Sequence, residues 1–128
     1  MKFEEFVKEV MYRANLSSRA QAQEAVRATL ETLSEHLTGG EAGDLLDQLD
    51  PRLGIYLQQP TGGTAQKFSA SEFFQRVSLR EGVSLQEATQ HAKVVAAVLS
   101  EAASQGEIED IRRQLPPDLA RLFPVQNQ

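Results

Sequence analysis

The chain has no cysteine among its 128 residues. That absence excludes disulfides, thiol nucleophiles and thiolate metal centres together, and it agrees with a cytoplasmic setting. Tryptophan is also missing, and two tyrosines and six phenylalanines are the whole aromatic complement, so aliphatic side chains must carry the core. No apolar run approaches the roughly 20 residues that a membrane-spanning helix needs. The opening Met1-Lys2-Phe3-Glu4-Glu5 places acids where a signal peptide would be apolar. Excess positive charge is lacking too: a net charge of −5 disfavours a nucleic-acid backbone as partner.

What is there is a pattern written twice. Glu5, Phe6, Val10 and Arg13 return sixty-seven residues later as Glu72, Phe73, Val77 and Arg80. After a one-residue deletion the offset becomes sixty-six, and Ser18, Ala22, Leu33, Ser34, Glu35, Gly40, Glu41, Asp44, Gln48, Leu49, Pro51 and Leu53 all recur, ending at Leu119. Such recurrence marks a duplicated structural unit with an internal two-fold. Each half alone would bury too small a fraction of its surface to be stable. The expectation is one domain over residues 1–128: repeat one at 3–57, a connector at 58–67, repeat two at 68–123 and a tail at 124–128. The polar, glycine-bearing connector is expected to be mobile and the tail to fray.

Local signals are helical nearly throughout, giving an all-α fold of three main helices and a short closing helix per repeat, sharing one core. Phe3, Phe6, Val7, Val10 and Met11 keep the spacing of an amphipathic first helix ending near Asn15. Capping boxes at Ser18–Gln21, Thr38–Glu41, Ser69–Glu72, Ser84–Glu87 and Ser104–Glu107 open further helices, with left-handed-capable glycines at 39 and 40. Phe68 is placed to staple against Phe73, and Asp50-Pro51 and Pro116-Pro117 start the closing turns. The helix after Ser84 is apolar around much of its circumference, and the one after Ser18 carries Ala22, Ala25, Ala28, Thr29 and Thr32. These two are expected to cross at the centre.

The motifs Gly-Glu-x-x-Asp-(Leu/Ile)-x-x-Gln-Leu-x-Pro-x-Leu at Gly40 to Leu53 and Gly106 to Leu119, each preceded by a long alanine-rich helix, give the chain a resemblance to a known group. From about Phe3 to Phe123 it resembles the bacterial family catalogued as domain of unknown function 2267. The resemblance implies a small, all-helical, two-repeat cytosolic protein. It carries over no catalytic or binding residue.

Candidate chemistry must therefore come from the residues. His36 and His91 are not repeat counterparts: His36 corresponds to Ala102, and His91 to Ala25. His36, in the last turn of its helix, is expected to be exposed near the cap. His91, near the central crossing, is either a hydrogen-bonded structural residue or part of a site. Arg27 and Lys93 are repeat equivalents and, with His91, the candidate groups for a small molecule or anion in a pocket between the repeats. The recurring Glu41, Asp44, Glu107 and Asp110 sit at helix N-termini, where capping accounts for them, so no metal or cofactor is expected. Gln48 and Gln114 are expected to bond the next turn's backbone rather than to reach across the two-fold. Thr61 to Lys67 lacks the spacing of a phosphate loop. The leading expectation is a non-catalytic module for a protein partner or self-association, anchored by Tyr56, Leu57, Leu122 and Phe123. The pocket reading, extending to an enzyme, is the alternative, although no nucleophile–base pairing is legible. DNA binding is disfavoured because Arg19 and Arg27 lie among Glu24, Glu31 and Glu35.

Overall fold

A computed structural model describes residues 1–58 and 66–124, so residues 59–65 of the connector, which hold most of the stretch from Thr61 to Lys67, and the tail beyond Pro124 lie outside the described residues. The order is α1 (Phe3–Arg13), α2 (Arg19–Ser34), α3 (Gly39–Gln48), α4 (Pro51–Gly54) running into a 3₁₀ turn (Ile55–Leu57), α5 (Ala70–Glu81), α6 (Leu85–Ala102), α7 (Gln105–Gln114) and α8 (Pro117–Ala120). No strand occurs among the described residues, and no helix there is long and apolar enough to cross a membrane.

The helix boundaries follow local chemistry, with corrections. Ser18, Thr38, Ser69, Ser84 and Ser104 each accept a hydrogen bond from the N–H three residues on. Of these five predicted boxes, only Ser84–Glu87 closes reciprocally. Gln21 Oε1 instead accepts from the Ser17 N–H at 3.1 Å, and Glu41 is drawn away to Gln114. Gly39 and Gly40 lie in the first turn of α3, not in a left-handed stop. Among the described residues the left-handed ones are Asn15 (φ 56°) and Gly82 (φ 76°), which end α1 and α5 at corresponding sequence positions. There the following N–H groups, of Leu16 and Val83, bond back to Met11 and Ser78 carbonyls.

The small-residue stripe of α2 is buried from Ala22 to Thr32, and Ala88, Ala92, Val95, Ala96 and Leu99 are buried on α6. As expected from those stripes, α2 and α6 meet at the centre; α1 and α5 each pack against both. The helices α3 and α7 pack on each other, while the 3₁₀ turn covers α2 and α8 covers α5 and α7. Phe6, Phe73, Leu53 and Leu119, all paired in the repeat, are fully buried.

Polar contacts link early and late parts of the chain at residues that recur in the sequence. Arg13 forms a bidentate pair with Glu101 at 2.7 and 2.8 Å, and Arg80 reaches Glu35 at 2.8 Å. The Thr38 N–H donates to Gln114 Oε1 at 3.1 Å, and the Ser104 N–H to Gln48 Oε1 at 2.8 Å. This corrects the expectation for the two glutamines: α3 and α7 lie so close that each side chain caps the start of the other half's helix.

Candidate functional site

Between the N-terminal halves of α2 and α6 lies a cavity of about 290 Å³. Leu16, Ala20 and Val83 make its apolar wall; Gln21, Glu24, Glu81, Glu87 and His91 supply the polar groups. Glu81 is the last residue of α5, held there by the left-handed turn at Gly82, while His91 is on the second turn of α6. Their side chains are almost entirely buried, and His91 Nδ1 stands 2.5 Å from Glu81 Oε2. With Glu81 ionised, Nδ1–H is the donor, which leaves Nε2 as an acceptor in the neutral ring or a second donor in the imidazolium. Nε2 has no partner among the described residues, and Glu81 Oε1 is buried with none.

Burial pushes the Glu81 carboxyl above the usual carboxylate range, and the His91 hydrogen bond opposes that rise. Glu87, by contrast, is held low by the Ser84 hydroxyl and backbone at its capping box. Three carboxylates and an imidazole face a pocket that no lysine or arginine lines. The lining chemistry accepts hydrogen bonds and attracts cations. Its lining residues include no serine, threonine or lysine.

The three residues expected to share a pocket are dispersed. Arg27 lies outside the cavity, paired with Glu24 at 2.7 Å and Glu31 at 2.9 Å and donating to the Arg80 carbonyl. Lys93 is exposed midway along α6, on the face that carries Leu85 and Thr89 and outside the cavity. With both cations elsewhere, the cavity does not have the charge an anion would require.

Of the four expected anchors, Leu57 and Phe123 are buried core lids, and Tyr56 and Leu122 are half-buried against the same core. Gln23 Nε2 donates to the Tyr56 hydroxyl at 3.3 Å. The α2 arginines that a DNA-binding reading would need are engaged: Arg19 pairs with Glu4 at 2.6 Å, and Arg27 as above. His36 departs most from expectation, being fully buried rather than exposed, because Phe68 folds over it with ring centroids 3.8 Å apart. The recurring acids also do more than cap, since Glu41, Glu107 and Asp110 converge where α3 meets α7.

Sequence reasoning gives Glu87 a capping role and Glu24 a charge-balancing one, and does not mark Glu81. A signal existed in the repeat: Glu81 corresponds to Ala14, and His91 to Ala25. Both alanines are buried. A polar pair therefore stands at sequence positions whose counterparts in the recurring pattern are alanines.

The fold and cavity define a small all-α protein with a buried histidine–glutamate pair opening on an acidic pocket. The chain belongs to the family described as an uncharacterized conserved protein, DUF2267, which matches residues 3–122. No match is found among curated proteins.

Proposed function

We propose that this protein binds a small organic amine in the pocket between α2 and α6, with Glu81–His91 as the recognition pair and no covalent chemistry. The observation that carries the reading is the asymmetry of the duplication. A buried ionisable pair costs desolvation that an alanine pair does not, and Ala14 and Ala25, the residues at the recurring sequence positions, are buried without such a pair. Retention of Glu81 and His91 in one half alone is then a property of a site rather than of the fold. The volume suits a compact ligand, near the lower end of small-molecule pockets at about 300 Å³. An alkyl body fits Leu16, Ala20 and Val83, and an ammonium head fits the carboxylates and Nε2.

This reading rests on two pseudo-symmetric halves, which the reciprocal pairs Arg13–Glu101 and Arg80–Glu35 support. It replaces the partner module as the leading function because Leu57 and Phe123 are core residues.

The test is a titration of the protein with primary alkylamines and, separately, carboxylic acids of matched length, followed by the ring ¹H–¹⁵N signals of His91 and by melting temperature. Amines should move the His91 signals and raise the melting temperature; acids should do neither. The double substitution Glu81→Ala with His91→Ala, which copies the other half, should stay folded and lose the response. Equal response to acids, or none to any amine, would overturn the reading.

A further inference from the structure

Where α3 packs on α7, three carboxylates meet. Glu41 and Glu107 are repeat counterparts in the first turns of these helices, and Asp110 follows one turn after Glu107. One oxygen from each lies within 4.8 Å of the others. Carboxylates at helix starts are commonplace, but these are not simply solvated caps. Glu107 is only 6 % exposed, and its Oε2 is buried with no hydrogen-bond partner. Glu41 Oε2 is likewise buried and unpartnered. The remaining contacts orient the group: Gln114 Nε2 donates to Glu41 Oε1 at 3.2 Å, and the Arg113 guanidinium donates to Asp110 Oδ1 at 2.5 Å. Arg113 is 72 % exposed and free to swing away.

We infer that Glu41, Glu107 and Asp110 form a binding site for one hard divalent cation, of the calcium, magnesium or manganese class, clamping the two halves of the protein together. Two buried carboxylate oxygens without a donor, facing a third acid, call for positive charge between them. The spacing suits it: opposed ligands on calcium stand about 4.6–5.2 Å apart, twice the metal–oxygen distance. An all-oxygen set without histidine or thiolate favours these ions over zinc or copper. The competing occupant is a proton shared between Glu41 and Glu107. Burial, the nearby Glu41 carboxyl and the charges of Asp44 and Asp110 push the Glu107 carboxyl up to about 8. Protons and the cation therefore compete for the same oxygens.

Calorimetric titration of the full chain with calcium, magnesium and manganese chlorides separately, at pH 6 and at pH 8.5, tests the site. The expected result is one cation per chain, tighter at the higher pH, with protons released on binding and a raised melting temperature. Glu107→Gln and Glu41→Gln, which keep the shape, should each weaken binding by at least about tenfold, since ligand charge sets the affinity of such sites. Lys67 donates to the Gln114 carbonyl beside the cluster without touching the acids, so Lys67→Met should leave affinity unchanged. No heat and no melting shift with any of the three ions at pH 8.5 would overturn the inference and leave the shared proton as the occupant. Undiminished binding in both glutamine variants would overturn it as well.

Discussion

The His36 imidazole lies against the Phe68 ring, centroids 3.8 Å apart, with the Phe73 ring 6.0 Å from the imidazole and 6.5 Å from Phe68, and neither imidazole nitrogen is hydrogen-bonded. A histidine packed this way is one member of a three-ring core cluster. Burial, with Lys67 and Arg76 nearby, depresses it to about 4; Glu35 and Asp118 oppose this only weakly. The unfolded chain therefore takes up a proton near pH 6.5 that the folded chain refuses until about pH 4. Stability from this residue is complete above pH 6.5 and falls as pH drops toward 4, by roughly 3 kcal/mol at most. His36→Leu should remove that acid sensitivity, as urea unfolding of both proteins between pH 4 and pH 7 would reveal. An unchanged pH dependence in the variant would contradict the assignment.

The Glu81–His91 pair should behave as a unit. His91→Ala leaves a buried carboxylate facing nothing, and Glu81→Ala strands the imidazole, so each single change should destabilise by about 2–4 kcal/mol. The double variant restores the pair of alanines found at residues 14 and 25. It should be less destabilised than the sum of the singles by about 1–3 kcal/mol. A double-mutant cycle from denaturant unfolding measures this, and simple additivity would mean that the two groups are not coupled.

Helix starts and the central small-residue stripes were legible because their chemistry is local: a Ser hydroxyl caps an N–H three residues on, and apolar spacing reveals the buried face. Ser18, Ser84 and the α2 alanines follow that logic. What was illegible depended on elements distant in sequence. Gln48 and Gln114 look like ordinary helix-end residues until α3 is set against α7, when each reaches the other half's cap. His36 reads as an exposed residue near the end of its helix, and only the return of the chain at Phe68 buries it. Glu81 was marked in the sequence solely by its departure from Ala14, a signal that gains meaning once both positions are known to be buried.

The central crossing leaves no room for larger side chains. Ala25 and Ala92 are both fully buried, on α2 and α6 respectively. Replacing either with Leu should overpack the contact and destabilise the fold by about 1–3 kcal/mol. Thermal unfolding followed by the helical signal is sufficient, and an unchanged midpoint for both variants would mean that the helices can part without penalty.

Glu107 should impose the opposite pH slope from His36. Its folded carboxyl titrates at about 8 against an ordinary 4.5, so in a chelator the folded chain holds a proton that the unfolded chain has lost. The resulting stability is complete below pH 4.5 and is lost as pH rises through 8. Between pH 4.5 and 6.5 the two slopes oppose each other, and above 6.5 the decline from Glu107 is no longer offset by His36. Glu107→Gln should therefore uncover a steady gain in stability from pH 4 to 6.5 and abolish the loss between 6.5 and 8. Saturating calcium should flatten the same loss in the parent, because cation binding stabilises the form that has released its proton. Chemical unfolding across this range, in chelator and in calcium, separates the two effects. A parent protein whose stability does not fall between pH 6.5 and 8 in chelator would show that Glu107 is ionised in the fold like any exposed carboxylate.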